Sequence, residues 1–158
     1  MAYITMINVG PNTDYHFMYF DALPARILYE IMSLRYKVFT EEQGIVCNDF
    51  DYIDLSAVHV TASQNGELAG YCRIIPKGYN NQTTSIISRV VVAKEYRKQG
   101  IGSQLIKLTE EYIHGKFGKG ISLKGQYYLS KYYTNLGFTA TSEPYIFEEI
   151  MHQNFEKQ

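Results

Sequence analysis

Residues 86–103 read IISRVVVAKEYRKQGIGS and join an apolar run to an amphipathic one through a short basic turn. The first seven residues are rich in β-branched side chains, which is typical of a strand covered on both faces. Helical spacing begins at Ile101 and continues through Leu105, Ile106 and Leu108. The stretch therefore predicts a central strand that leads directly into a helix packed against the same sheet.

The turn between that strand and that helix has the properties of an anion site. The first four N–H groups of a helix lack partners within it, and the helix dipole places about half a positive charge there. Gly100 and Gly102 let a phosphate approach the backbone, and Arg97 and Lys98 add positive charge. A Gly-x-Gly alone fits a tight helix entry equally well. The chain has no GxxxxGK(S/T) motif and no GxGxxG fingerprint, which excludes the P-loop NTPase and dinucleotide-binding interpretations.

Periodicity places the remaining elements around this unit. Alternating apolar residues predict strands, apolar residues three and four apart predict helices, and Asn65-Gly66 predicts a type I′ hairpin turn. The predicted strands cover 3–9, 15–20, 57–63, 68–75, 86–92 and 121–123, with a last strand pair in 138–151 around Glu143-Pro144; the predicted helices cover 23–44, as one helix or two, 101–115 and 127–135. This order predicts an α/β fold with a mixed sheet and helices on its faces.

Length and composition limit the class of protein. The 158 residues fit one domain, 1–158, with residues 1–12 either inside it or forming an N-terminal extension. Hydrophobic residues make up 46% of the chain and the formal net charge is −1, which excludes extensive disorder and a surface built for nucleic acid. Cys47 and Cys72 form neither a disulfide scaffold nor a metal-ligand pattern, and no apolar run is long enough to span a membrane. We therefore expect a cytoplasmic protein with no metal, membrane or nucleic-acid partner.

The pattern Arg-x-x-Gly-x-Gly after a valine-rich strand resembles the pyrophosphate-binding motif of the GCN5-related N-acetyltransferase (GNAT) superfamily. Three further segments support that resemblance. Residues 34–43, LRYKVFTEEQ, resemble the helix signature of the ElaA-like branch, and Asp51 and Asp54 before 57–59 resemble its acidic loop and second strand. Residues 132–138, YYTNLGF, resemble the C-terminal segment of the family. The resemblance covers nearly the whole chain.

The resemblance implies a GNAT-like fold in which a mostly antiparallel sheet contains a splayed parallel strand pair. The central strand would diverge from 121–123, and acetyl-CoA would lie in the gap. The cofactor-binding residues would be Val90, Val91 and Val92, whose backbone groups hold the acetyl carbonyl and the pantetheine amides, and Arg97, Lys98, Gln99, Gly100, Ile101, Gly102 and Ser103 around the pyrophosphate.

Acyl transfer from a thioester to an amine requires a neutral amine and a proton for the departing thiolate. The resemblance places Tyr133 at the position of the family's general acid. The alternative for Tyr133 is a packed aromatic residue, since Tyr127, Tyr128 and Tyr132 share its segment.

The general base is less evident, because residues 86–92 carry no carboxylate. Glu42 is the first catalytic candidate, followed by Asp51, Asp54 and His59, with a water relay as another route. Glu42 has a structural alternative, an ion pair with Arg35.

Three arginines are candidates for lining the acceptor pocket: Arg35, Arg73 and Arg89. Arg35 and Arg73 are predicted to bind the substrate there, although each could instead form a structural ion pair.

These observations predict an acetyl-CoA-dependent N-acetyltransferase that acts on a primary amine of a small molecule or a peptide. The alternative is a module that binds or senses acyl-CoA without transferring the acyl group. A C-terminal strand with an exposed edge also predicts a homodimer.

Overall fold

A nine-stranded sheet runs through the described residues, 4–8 and 12–158, of the computed structural model. Its strands are β1 (Ile4–Asn8), β2 (Thr13–Tyr19), β3 (Val58–Gln64), β4 (Glu67–Ile75), β5 (Ser85–Val92), β6 (Ile121–Gln126), β7 (Thr139–Ala140), β8 (Tyr145–Phe147) and β9 (Ile150–Lys157). The helices are α1 (Ala25–Arg35), continued by a π-helical segment (Tyr36–Glu42), α2 (Ile101–Phe117) and α3 (Ser130–Asn135). The strand order is β1-β2-β3-β4-β5-β6-β9-β7, and β8 also pairs with β9.

The strand pairing confirms the predicted mixed sheet. The paired strands are antiparallel except β5 and β6, which run parallel on either side of the α2 crossover. Asn65 and Gly66 have φ values of 53° and 83°, as a type I′ turn requires. β1 lies within residues 1–12, which the sequence analysis placed either inside the domain or in an N-terminal extension. It pairs with β2. Residues 3 and 9, the ends of the first predicted strand, lie outside the described residues, as do residues 10 and 11 of the turn predicted at 10–13.

The C-terminal strands differ from the prediction. The hairpin turn lies at Glu148-Glu149, between β8 and β9, and not at Glu143-Pro144. The two glutamates have φ values of 49° and 64°, and a two-residue turn of this kind requires positive φ at both positions. Glutamate gives no signal for that conformation, which normally selects Asn, Asp or Gly. For this reason the prediction missed the register of β9, which continues to Lys157.

Helices cover both faces of the central strands. Leu105 and Ile113 of α2 belong to the main core, whereas Ile31 and Leu34 of α1 pack with Tyr71 in a second core. Successive residues of β4 are buried. Since successive side chains of a strand point to opposite sides, both faces of β4 are covered. None of the helices in the described part of the chain has both the length and the apolar character of a membrane span.

The central strand pair separates after a short paired segment. β5 and β6 pair only from Ser85↔Ile121 to Ile87↔Leu123, although β5 continues to Val92 and β6 to Gln126. The register between β4 and β5 also shifts opposite Cys72, where Arg89 has a φ of 55°. Such a bulge bends and twists the strand that carries it. The two strands therefore diverge toward their C-terminal ends.

Candidate active site

The divergence of β5 from β6 opens a cleft of about 1340 Å³. Its walls come from the end of the π-helical segment, residues 45–51, β5, residues 96–103, β6, α3 and the β8–β9 hairpin. Typical small-ligand pockets have volumes of roughly 300–1,000 Å³. The cleft is therefore large enough for a bulky cosubstrate together with an acceptor.

The N-terminus of α2 forms one end of this cleft. No side chain caps the helix, and its first internal hydrogen bond runs from the amide of Gln104 to the carbonyl of Gly100 at 3.0 Å. The amides of Ile101, Gly102 and Ser103 accordingly have no partner within the helix. These three residues line the cleft, so their N–H groups and the positive end of the helix dipole are placed where an anion would bind.

Gly100 and Gly102 serve different purposes in this turn. Gly100 has a φ of +79°, which L side chains rarely adopt. Gly102 has no such restriction, but a Cβ there would lie 3.2 Å from the Tyr132 hydroxyl and 3.3 Å from a methyl of Val92. Gly100 is therefore needed for its backbone conformation and Gly102 for the space around it.

Arg97 fixes the basic turn that precedes α2. Its Nε donates to the carbonyl of Val92 at 2.9 Å, and its Nη2 donates to Glu42 at 2.8 Å. Arg97 and Lys98 line the cleft. The side chain of Gln99 does not, since it donates to a backbone carbonyl in the same turn. Of the four polar residues predicted at this end, Arg97, Lys98 and Ser103 line the cleft and Gln99 does not.

The position of Glu42 corrects two expectations. Its carboxylate pairs with Arg97 rather than Arg35, and Glu42 is not among the residues that line the cleft. The π-helical segment ends at Glu42, and the following Gln43 accepts a hydrogen bond from the Gln126 amide at 2.8 Å. The end of this segment thus contacts both sides of the cleft, through Glu42 on the β5 side and Gln43 on the β6 side.

Tyr133 lies against a glycine of the neighbouring strand. A Cβ at Gly125 would be 2.6 Å from Cε2 and 2.9 Å from Cδ2 of the Tyr133 ring, which also packs with Phe138 and Phe155. The side chain lines the cleft, and burial raises the pKa of its phenol. The phenol is therefore protonated near neutral pH. The sequence analysis did not single out Gly125. Its one signal is that a glycine within a strand often marks a close approach of another group to the backbone.

Arg35 is a buried structural residue and does not line the cleft, contrary to its predicted role in acceptor binding. Its Nε donates to Asp49 at 2.9 Å and its Nη1 donates to Asp54 at 2.8 Å. Burial alone would lower the pKa of this guanidinium, but the two aspartates outweigh burial and raise the pKa. Arg35 therefore holds the loop of residues 49–54, called the acidic loop below, from a position that does not line the cleft.

Arg73 and Arg89 hold the same loop from β4 and β5. Arg73 is also buried, and its two Nη atoms donate to the carboxylate of Asp51 at 2.8 and 2.9 Å, with a further bond to Asp54 at 3.0 Å. The Arg89 Nε donates to Asp49 at 2.6 Å. Although burial alone would raise the pKa of Asp51, the contacts with Arg73 lower it. Arg73 does line the cleft, but its guanidinium is committed to this loop.

His59 lies behind the acidic loop, without access to the cleft. It is fully buried, its Nε2 donates to the Asp54 carbonyl at 2.9 Å, and its Nδ1 accepts a hydrogen bond from the Tyr71 hydroxyl at 2.9 Å. Burial lowers the pKa of this imidazole. His59 is consequently a neutral core residue and not the base that was a candidate at the sequence level, and Asp54, which is buried beside it, is not one either.

The C-terminal hairpin supplies the wall opposite the acidic loop. Burial and the nearby Glu148 raise the pKa of the Cys47 thiol, which bonds to that carboxylate. The Lys124 ammonium lies 3.7 Å from the centre of the Phe147 ring. His152 also lines the cleft here, with its Nδ1 2.8 Å from the Ile150 carbonyl. Sequence analysis missed His152 because the predicted strand ended at residue 151.

Comparison with known proteins agrees with this geometry. A family model described as "Acetyltransferase (GNAT) domain" matches residues 50–158. A UPF0039 protein of Schizosaccharomyces pombe is 35% identical over 144 residues, which are 89% of this chain and 94% of that protein. Protein ElaA of Escherichia coli is 33% identical over 128 residues, which are 79% of this chain and 83% of ElaA.

Solved structures share the whole architecture. An acyl-CoA N-acyltransferase from Pseudomonas aeruginosa superposes with a TM-score of 0.86 at 28% identity, covering 92% of this chain and 99% of that one. The crystal structure of Escherichia coli ElaA gives the same TM-score at 27% identity, with the same coverage. The splayed strand pair is therefore part of an architecture that acyl-CoA-dependent enzymes also have.

Proposed function

The chain belongs to the GNAT superfamily, in its ElaA-like branch, and from that premise we propose that it transfers an acetyl group from acetyl-CoA to a primary amine of a small molecule or a peptide. The observation that carries this proposal is the cleft between β5 and β6, which has the uncapped end of α2 at one side and Tyr133 inside it. An anion-binding end and a buried proton donor in one cleft are what thioester transfer requires.

The pyrophosphate of acetyl-CoA would lie against the amides of Ile101, Gly102 and Ser103. Arg97 and Lys98 supply positive charge beside these amides, and the absence of a Cβ at Gly102 leaves the backbone accessible. The pantetheine arm would then follow β5, where the bulge at Arg89 frees backbone groups from the sheet ladder. Val90, Val91 and Val92 contribute through these backbone groups and through the shape of the wall.

Tyr133 would complete the transfer as general acid. The amine nitrogen attacks the thioester carbonyl carbon, a C–N bond forms, and the C–S bond breaks with its electron pair on sulfur. The Tyr133 hydroxyl then gives its proton to the thiolate. General acid catalysis of this kind contributes about 10²–10⁴-fold to the rate.

A two-stage experiment tests this function. Acetyl-CoA at a hundred times its Kd should stabilise the fold by about 2.7 kcal/mol in a thermal-shift assay. Release of free CoA thiol should then depend on an added amine from a panel of polyamines, aminoglycosides and peptides with free N-termini. Binding without amine-dependent thiol release would support the alternative, an acyl-CoA sensor, and a thermal shift absent at every concentration would contradict both. The cytoplasmic location and the homodimer stay predictions.

A further inference from the structure

We propose that His152, acting in the transferase reaction proposed above, takes the proton from the attacking amine through its Nε2 atom. The reaction needs such a group, because a protonated amine has no lone pair with which to attack. The carboxylates around the cleft are poorly suited to the task, and the reasons differ for each of them.

Ion pairs occupy the carboxylates of the loop 49–54 and of Glu42. Asp51 binds Arg73 through both of its oxygens, Asp49 binds two arginines, and Glu42 binds Arg97. A carboxylate that is held by guanidinium groups is a weaker base, as the lowered pKa of Asp51 reflects. None of these three is in position to accept a proton readily.

The two remaining carboxylates on the cleft wall are less well placed than the imidazole. Glu156 pairs across strands with Ser122, which is still paired with β5, so Glu156 lies at the closed end of the cleft. Glu148 lies in the exposed hairpin turn and bonds to Cys47. His152, by contrast, pairs with Gln126, the last residue of β6, where the two strands are fully apart.

The strand geometry places His152 across from the predicted acid. The Tyr133 ring lies on the face of β6 at Gly125, and the next residue, Gln126, points to the opposite face because strand residues alternate. His152 is the cross-strand partner of Gln126 and shares that face. Tyr133 and His152 therefore both line the cleft, from opposite faces of the β6–β9 strand pair. An acceptor that meets the thioester in this cleft would lie between them.

The hydrogen bond of His152 defines which nitrogen is available. Its Nδ1 lies 2.8 Å from the carbonyl oxygen of Ile150, and a carbonyl can only accept, so Nδ1 carries the proton. In the neutral imidazole Nε2 then carries a lone pair. The Phe147 ring packs at right angles to the imidazole, with centroids 5.6 Å apart, and this contact holds its orientation.

The proton balance of the step is complete. An ammonium substrate gives one proton to Nε2, and the resulting amine forms the C–N bond as the C–S bond breaks. The thiolate receives a proton from Tyr133, and the amide nitrogen loses its surplus proton to Nε2 once Nε2 has returned its first one to solvent. That second proton then passes through solvent to the Tyr133 phenolate, which restores both groups. Each turnover thus yields the amide, the free thiol and one proton in solution.

Four elements carry titratable groups around the imidazole. The experiment must distinguish the effects of these groups on the rate from the effect of His152. Tyr145 on β8 is a cross-strand partner of His152, Lys124 lies on β6, Glu148 lies in the hairpin turn, and Cys47 faces them from the loop. Any of these groups could contribute to a pH profile. The test therefore needs a variant that changes only one of them.

The experiment follows kcat/KM against pH by thiol release, with acetyl-CoA and with spermidine, kanamycin and an unblocked tetrapeptide as acceptors. The variants are His152→Asn, whose amide can still donate to Ile150, and His152→Gln, which places an amide near Nε2. Neither side chain accepts a proton. The controls are Glu148→Gln and His16→Gln, the second on β2 and remote from the cleft. Melting temperatures show which variants are folded.

In the wild-type enzyme kcat/KM should rise with pH along an acid limb and then reach a plateau, and this limb should be absent from both His152 variants. Both His152 variants should lose about 10²–10⁴-fold at pH 7. Their activity should instead rise about tenfold per pH unit toward the ionisation of the amine itself, near pH 10.4 for a lysine-type amine. Both controls should keep the wild-type profile, and added imidazole should restore part of the activity of His152→Ala.

Different outcomes overturn different statements. Wild-type thiol release with folded His152 variants that keep its rate and profile would refute the role of His152 alone. Loss of the acid limb in Glu148→Gln, but not in the His152 variants, would assign that role to Glu148. Absence of amine-dependent thiol release from the wild-type protein with all three acceptors would refute the proposed function, and the base with it.

Discussion

The contact between Gly125 and Tyr133 allows a quantitative test of the proposed acid. Substitution Gly125→Ala would place a Cβ 2.6 and 2.9 Å from two ring carbons of Tyr133. Carbon atoms pack at roughly 3.5–4.0 Å, so the ring must withdraw by about 1 Å. Phe138 and Phe155 also pack against this ring, and the buried site leaves little room for other adjustments. The expected response is a displaced hydroxyl in a protein that is still folded.

Gly125→Ala should lower both the free energy of unfolding and the rate of acyl transfer. Adding a methyl to a well-packed core costs about 1–3 kcal/mol of the free energy of unfolding. A displacement of about 1 Å at a catalytic group costs on the order of 10²-fold in rate. We therefore expect Gly125→Ala to lower kcat by about two orders of magnitude, whereas the Kd of acetyl-CoA, set mainly at the α2 end, changes by less than about threefold.

A double-mutant cycle identifies the cause of that loss. Tyr133→Phe removes the hydroxyl and should lower kcat by about 10²–10⁴-fold. If Gly125→Ala acts by moving the same hydroxyl, adding it to Tyr133→Phe should cost little more. Thiol release at saturating acetyl-CoA and amine measures each kcat. Full multiplication of the two losses, or a folded Gly125→Ala variant that retains wild-type kcat, would show that Gly125→Ala does not act by displacing the hydroxyl, and a folded Tyr133→Phe variant that retains wild-type kcat would refute the assignment of Tyr133 as acid. Tyr132→Phe is no inert control, because its hydroxyl bonds to Ser103 at the end of α2.

Three further predictions address other parts of the site. Glu42→Gln should change the Kd of acetyl-CoA by less than about tenfold and leave kcat at saturation nearly constant, because Glu42 contacts Arg97; a large loss of kcat alone would return Glu42 to the acceptor side. Gly102→Val should weaken acetyl-CoA binding in calorimetry by more than about tenfold through blocked amides, and unchanged affinity would move the pyrophosphate elsewhere. Because burial lowers the pKa of His59, the unfolded chain binds a proton below about pH 6.5 that the folded chain refuses. Urea titrations should accordingly show stability falling between pH 6.5 and 5.5 by up to about 1.4 kcal/mol per pH unit, a slope absent in His59→Gln.

The strand, turn and helix at the α2 end of the cleft could be predicted because their residues are adjacent in sequence. A β-branched run, a basic turn and two glycines lie within residues 86–103, and local propensity is enough to produce a strand, a turn and a helix from them. The proposed contacts there are made by backbone groups, which depend little on distant packing. The π-helical end of the first helix and the bulge at Arg89 have no comparable signal in the sequence.

The part of the cleft lined by the loop 49–54 and the β8–β9 hairpin could not be predicted because it depends on long-range packing. Arg35 and Asp54 are 19 residues apart, and nothing in the sequence distinguishes a buried pair from an exposed arginine that binds substrate. His152 depends on a single turn, because a hairpin register that slips by one residue sends each side chain of the strand to the opposite face. The left-handed conformation of Glu148 and Glu149 sets this register, and it is visible only in the folded chain.

The buried ion pairs also explain why the proposed acid and base lie outside the cluster of charged side chains. Three arginines and three aspartates balance one another around the loop 49–54: Arg35, Arg73, Arg89, Asp49, Asp51 and Asp54. Removing one partner of such a buried pair typically costs about 3–5 kcal/mol, so the loop is a fixed wall rather than a flexible source of bases. The groups proposed to move protons are then a phenol and an imidazole, neither of which takes part in these ion pairs. A cationic amine can enter this site, lose its proton to His152 and attack the thioester without separating from a fixed carboxylate.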